Sequence, residues 1–255
     1  MVRALPFALV SVLLAACGSV ASVAPPNTSP SHAAPRYDAA VLADHPVGYW
    51  RLGEAGGTTL VDRSGHGNDG VYDGSYQLGQ PGAIAGDPDT AATFGGQSGA
   101  TVPSSRNLVV GNQVTIELWL KERSEAFNAV YVAKNGACAA NAECFQVLNH
   151  LSDGQLEFRV IADPGSALVS NGSLSASQWH YVVATYDGSQ ARLYVDGALD
   201  GSRAITMTPS NAADPWSIGR RADGYFADGT LDEVAIYGTA LSADQVSAHW
   251  RAAGH

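Results

Sequence analysis

From Trp179 onward the apolar and polar positions fall into a pattern that can be read directly. Residues 179 to 186 are β-branched and aromatic almost throughout, and Asp187-Gly188 supplies a turn. Ala191, Leu193 and Val195 then alternate with Arg192, Tyr194 and Asp196. The alternation predicts an antiparallel hairpin with one face toward water. A second Asp-Gly at 196 and 197 turns the chain into Ala198 to Ile205 and extends the hairpin to a meander. Similar short runs, punctuated by Gly and Asp, recur at Thr115 to Lys121, Ala129 to Lys134, Phe145 to Leu148, Leu156 to Ile161, Trp216 to Ile218 and Leu231 to Tyr237. Two short helices are predicted at the ends of this region. Asp38 is placed to cap Ala39 to Ala43 ahead of Pro46, and Ser242-Ala243-Asp244-Gln245 reads as a capping box with Leu241 and Val246 as its hydrophobic staple. Evenly spaced strands without long helical periodicity predict an all-β domain over residues 37–252: an antiparallel two-sheet β-sandwich of jelly-roll type with short peripheral helices.

The segment ahead of that domain has a different character. Met1-Val2-Arg3 is a short positive start, and Ala4 to Ala16 is an apolar run too short to cross a hydrocarbon layer of about 30 Å as a helix, so residues 1–16 read as an export signal. The run ends in Leu14-Ala15-Ala16-Cys17, which resembles the bacterial lipobox; Cys17 is then the lipidated residue and the membrane anchor. An ordinary cleaved signal with an incidental cysteine is the alternative. Residues 17–36 are rich in Ala, Ser and Pro, and predict a disordered, extended linker. The expected location is exported and membrane-anchored, facing the cell surface or the periplasm of a bacterium.

Charge removes one class of partner. The formal net charge is −10 and the only lysines are Lys121 and Lys134, so no basic patch for nucleic acid can be assembled. Apart from Cys17 the cysteines are Cys138 and Cys144, expected in an exported protein to form a disulfide across a small loop.

Five segments in order carry a family likeness: Pro46 to Glu54, Asp62 to Gly70, Thr115 to Leu120, Trp179 to Gly197, and Gly229 to Tyr237 followed by Ala240-Leu241-Ser242. Together they resemble the laminin G-like jelly-roll module of the concanavalin A-like lectin/glucanase superfamily. The resemblance implies a fold that hosts lectins, adhesive modules and glycan-active enzymes, so function must be sought in the site.

Glycan hydrolysis needs two carboxylates facing one cleft about 5 to 9 Å apart, which on a strand means positions i and i+2. Asp232 and Glu233 are adjacent and are expected on opposite faces, while Asp87-Pro88-Asp89 falls in a proline-bearing loop. No catalytic residues are assigned and the domain is read as a non-enzyme. Gly65-x-Gly67-x-x-Gly70 lacks the strand-to-helix setting of a nucleotide site, Ser98 belongs to a loop, and Asn171-Gly172-Ser173 is expected in a turn. Calcium takes six to eight oxygens from carboxylates and loop carbonyls. The resemblance brings Glu54, Asp62, Asn68 and Asp232 toward one another as candidate ligands of a structural calcium ion; otherwise Asp62 and Asn68 bond their own turn. The loop Arg220, Arg221, Tyr225 and Phe226 combines aromatic faces with donors and is the candidate ligand site. Trp50, Trp119, Trp179 and Trp216 are expected in the core, with Tyr181 and Tyr194 packed. The leading functional expectation is binding of a carbohydrate or glycoconjugate. The alternatives are a protein-interaction or envelope-structural module, or a divergent glycan-active hydrolase or lyase.

Overall fold

The computed structural model describes Met1 and residues 36–123, 129–134, 145–150, 154–160, 167–206 and 214–255. Residues 2–35, with Cys17 and nearly all of its leader and linker, and the expected pair Cys138 and Cys144, lie outside the described residues. In chain order the elements are α1 (Tyr37–Ala43), β1 (Gly48–Trp50), β2 (Thr59–Leu60), β3 (Gly70–Asp73), β4 (Tyr76–Pro81), β5 (Thr90–Gly95), β6 (Gly99–Val102), β7 (Val114–Glu122) and β8 (Val130–Lys134). They continue with β9 (Phe145–His150), β10 (Gln155–Arg159), β11 (Ala167–Ser173), β12 (His180–Tyr186), β13 (Gln190–Val195), β14 (Ala198–Ala204), β15 (Trp216–Ile218), β16 (Asp228–Tyr237) and α2 (Ala243–Ala252).

The strands form two 8-stranded antiparallel sheets. One runs β14-β13-β12-β7-β16-β5-β4 with β1 added against β16; the other runs β11-β10-β9-β8-β15-β6-β3-β2. Alternate residues of facing strands meet in one apolar core that includes Phe94, Leu118, Leu120, Val182, Leu193 and Leu231 from the first sheet and Tyr72, Val102, Val132, Phe158, Trp216 and Ile218 from the second. Each such side chain contributes about 1.5–3 kcal/mol on burial, which drives the sheets together. The antiparallel sandwich is the fold that the strand spacing predicts. Asn171-Gly172-Ser173, expected in a turn, instead ends β11, where the Asn171 amide bonds Asp200 on β14.

The predicted antiparallel hairpin forms from His180 to Val195, with Ala184 opposite Leu193 and Thr185 opposite Arg192. Its turn is held by the Asp187 carboxylate, which accepts from the amides of Ser189 and Gln190. At the next turn Asp196 (φ 50°) and Gly197 (φ 77°) are both left-handed, as a two-residue hairpin turn requires. The expected wet face survives only on β13, at Gln190 and Arg192; β12 is buried along nearly its whole length. The outer face of the first sheet carries a second apolar layer, in which α1 and α2 cover Tyr49, Trp119, Tyr181, Val183 and Tyr237.

Both helices depart from the sequence reading in detail. α1 begins two residues earlier than expected, at Tyr37 with Arg36 at the cap; Asp38 lies inside the first turn and provides no cap. The α2 capping box of Ser242 and Gln245 forms as predicted, but the helix is more than peripheral, because Val246 and His249 are buried beneath it. His249 Nδ1 meets both oxygens of Glu117 on β7, at 3.0 and 3.1 Å. The same carboxylate accepts hydroxyls from Tyr37 of α1 (2.7 Å), Tyr181 of β12 (2.7 Å) and Tyr237 of β16 (2.8 Å). His249 Nε2 lies 3.1 Å from Asp44 at the end of α1. One fully buried acid therefore ties both helices to the sheet. Burial alone would raise the Glu117 carboxyl, but the His249 charge and the hydroxyls outweigh it and hold it below the usual carboxylate range. His249 is raised: burial works against its charge, and Glu117 more than compensates.

Candidate functional site

The four residues expected around a calcium ion do not form one shell. Asp62 accepts three backbone amides, from Tyr49 (3.1 Å), Ser64 (2.8 Å) and Asn68 (2.8 Å), so its oxygens are occupied in shaping the loop. Asn68 braces that loop from the other side, donating to Val47 O and accepting from Trp50 Nε1 and the Ser105 hydroxyl. Gly65 (φ 87°) and Gly67 (φ 73°) supply the left-handed turns between them. Glu54 accepts from Val61 N and the Tyr72 hydroxyl. Asp232 accepts from Ala83 N through one oxygen, while its other oxygen, Oδ1, is buried without a hydrogen-bond partner among the described residues. Among the described residues no cluster of three or more His, Cys, Asp or Glu side chains is disposed to hold a metal.

Asp232 belongs instead to an acidic cluster gathered by Arg51. The guanidinium lies 2.6 Å from Glu233 Oε1, 3.0 Å from Asp87 and 2.9 Å from Asp89. Asp38 of α1 stands further off, at 3.9 Å. The Tyr49 hydroxyl closes the second oxygen of Glu233. Strict alternation along β16 would send Asp232 and Glu233 to opposite faces, but the strand bulges between Asp232 and Ala235, with Glu233 left-handed at φ 54°. Both carboxyls are therefore buried and both feel Arg51 and Asp89. Burial, then the neighbouring Glu233 charge, pushes the Asp232 carboxyl well up; burial also raises Glu233, with Arg51 and Tyr49 pulling against it. A cavity of about 300 Å³ adjoins this cluster, lined in part by Asp38, Arg51, Glu54, Arg63 and Asp89. The loop 87–89, set aside in sequence as a mere turn, is thus one wall of the cluster.

The loop after β15 is less open than its composition implies. Arg220 is spent on a two-pronged ion pair with Asp73 (2.8 and 2.6 Å) and on Thr101. Arg221 is held by Asp223 and lies over the Tyr225 ring, 4.0 Å from its centroid. Tyr225 is exposed and Phe226 half-buried.

A polar groove that no sequence run announces lies on the outer face of the first sheet, beyond the edge of the helical layer. Register places it: Lys121 of β7 is opposite Thr230 of β16, Thr230 opposite Thr93 of β5, and Thr93 opposite Gln77 of β4. Directly opposed residues of antiparallel strands share a face, so the four side chains form a row across the sheet. Thr93 and Thr230 join their hydroxyls at 2.7 Å. With Gln80, Arg123 and Ser177 the row lines a groove of about 320 Å³. Trp179 sits behind it, half-buried against the outer apolar layer, its ring 4.8 Å from the Lys121 ammonium. It thus differs from Trp50, Trp119 and Trp216, which are fully buried as expected, along with Tyr181 and Tyr194. The adjoining row, Trp119 and Asp232, is closed off by the segment Ala83-Ile84 and by Trp250, stacked 5.5 Å from Trp119.

The architecture and the ordered segments are those of one superfamily. Residues 94–247 match the Laminin_G_3 family of the concanavalin A-like lectin/glucanases superfamily, and the chain belongs to it. Solved structures agree on the fold. Domain 4 of AbnA, a GH43 extracellular arabinanase from Geobacillus stearothermophilus solved in complex with arabinotriose, matches with a TM-score of 0.63 at 22% identity, over 79% of this chain and 96% of that one. The receptor binding domain of botulinum neurotoxin mosaic serotype C/D matches at 0.63 and 15% identity, over 82% of this chain and 51% of that one. A botulinum neurotoxin type C structure, reported with cell entry dependent on two ganglioside molecules, matches at 0.60 and 13%, over 84% and 52%. The chain spans about half the length of these toxin chains. No curated protein sequence matches it significantly.

Proposed function

We propose that the jelly roll is a non-catalytic carbohydrate-binding module on an exported lipoprotein, and that the groove across β7, β16, β5 and β4 is where the sugar lies. The observation that carries this is the cross-strand row of amide, hydroxyl and ammonium groups on one sheet face, lining a groove. Amides and hydroxyls both donate and accept, which suits them to sugar hydroxyls, and a rigid sheet holds them in fixed geometry. The fold relatives support the reading by analogy, since one was solved with arabinotriose and another is tied to gangliosides. The groove is favoured over the 220–226 loop because Arg220 and Arg221 are already engaged by Asp73 and Asp223.

Affinity electrophoresis against a polysaccharide panel tests the proposal. The double variant Gln77→Ala/Gln80→Ala is expected to lose about tenfold or more in affinity, equivalent to about 1.4 kcal/mol, with unchanged melting. Equal binding by variant and wild type would remove the groove, and release of reducing sugar would overturn the non-catalytic reading. Anchorage at Cys17 is the other half of the proposal, motivated by Leu14-Ala15-Ala16-Cys17. Palmitate labelling in cells should be present in the wild type and absent in Cys17→Ser.

A further inference from the structure

We infer that the sugar bound in this groove carries a carboxylate, seated on the ammonium of Lys121. The inference rests on the groove being the carbohydrate site and adds the class of ligand.

Lysine is scarce here, and the two copies have different settings. Lys134 is buried, its ammonium donating to Asp214 O at 2.8 Å near the Trp216 ring. Lys121 is half-buried on the groove wall and faces Trp179, and it makes no ion pair among the described residues. The other cation on the groove wall is matched. Arg123 faces Asp228 at 3.1 Å. The neighbouring Glu122 also lines the groove, but its carboxyl is buried and accepts the Tyr131 hydroxyl in the interior. Asp232, one row away, is shut beneath Ala83.

Among the described residues the groove thus presents one positive charge without an acidic partner, beside hydroxyls and amides that would take the rest of a sugar ring. The Trp179 face holds the ammonium by a cation–π contact, which limits its swing without neutralising it. An ammonium fixed in this way gives a charge-assisted hydrogen bond to a carboxylate, stronger than any the groove can offer a neutral sugar. Trp179 is a positioning residue in this scheme, and Lys121 is the residue that touches ligand. Uronate polymers and sialylated glycans share the required chemistry.

The test uses the full-length protein with paired probes: polygalacturonate against the same polymer fully methyl-esterified, and a sialylated glycan against its desialylated form. The wild type is expected to bind one acidic member of these pairs at least about tenfold more tightly than its neutral partner, with affinity falling as salt rises. Lys121→Met should bring the acidic probe down to the neutral level, Lys121→Arg should restore preference, and Trp179→Ala should weaken only the acidic probe. Which acidic probe responds identifies the source. If neutral and acidic members bind alike, or Lys121→Met behaves as wild type while Gln77→Ala/Gln80→Ala still loses binding, the carboxylate assignment falls and the groove stands. If the wild type binds no glycan in either pair or on a broad array, both readings fall.

Discussion

Glu117 is ionised inside the protein because every direction it faces supplies a positive charge or a hydroxyl: His249, Tyr37, Tyr181 and Tyr237. Removing the cation alone leaves a buried charge uncompensated, so His249→Leu is expected to cost about 3–5 kcal/mol. The double variant Glu117→Gln/His249→Leu should cost less than the two single changes added, measured by chemical denaturation. The pH dependence follows from the two shifts. His249 has a folded pKa raised above 6.5, so its contribution is complete below that value and is lost as pH rises through the raised one. Glu117 is lowered from 4.5, so its contribution is complete above that value and is lost as pH falls through the lowered one. The pair stabilises fully between about 4.5 and 6.5, and wild type should lose more stability than the double variant outside that window on both sides. Sequence showed none of this. A lone Glu in an apolar strand and a lone His in a helix carry no signal of each other across 132 positions. The positive φ of Glu233, which undoes the alternation argument at Asp232, is equally silent, since nothing in a glutamate side chain announces a bulge.

Among the elements, the two helices depend on close approach to the meander. A β-carbon at Gly197 would lie 2.5 Å from the Trp250 ring of α2, and the residue is also left-handed at φ 77°. Gly197→Ala is expected to destabilise by about 1–3 kcal/mol through both overpacking and backbone strain. Near-ultraviolet circular dichroism should report the loss, because Trp250 stacks on Trp119 and on His255. The Asp-Gly pair that creates this turn was readable in the chain, as were the α2 capping box and the strand order of the meander, because each is encoded within a few residues. The helical layer over the outer face was not readable. Tyr181 and Val183 look the same in sequence whether their face meets water or a helix, and only the arrival of α1 and α2 decides it.

At the scale of the whole molecule, the groove draws on positions 77, 93, 121 and 230, which sheet register alone brings into line. That is why the contiguous stretch 220–226 was the more visible candidate: aromatic and basic residues in one run advertise a platform, whereas a row across strands is scattered through the chain. Calcium is a separate proposal at this scale, now centred on Asp232 rather than on the 62–68 turn, because of the four expected ligands it is the one with a buried oxygen, Oδ1, that has no hydrogen-bond partner among the described residues. A divalent ion there would offset the burial that holds the carboxyl up. Excess calcium is expected to raise the melting temperature of EDTA-treated protein, and Asp232→Asn should abolish the response; an unshifted wild-type midpoint would sink it.

Arg36 and Tyr37, at the start of α1, line the same small hollow as Ala252 near the end of α2. The first and last helices are neighbours although the whole sandwich separates them along the chain. A circular permutant that joins His255 to Arg36 through a short glycine-serine linker and opens at the exposed Asp187-Gly188 turn should therefore keep the same sheet order. Its melting curve would show whether the closing of the sandwich depends on where the chain is threaded or only on what touches what.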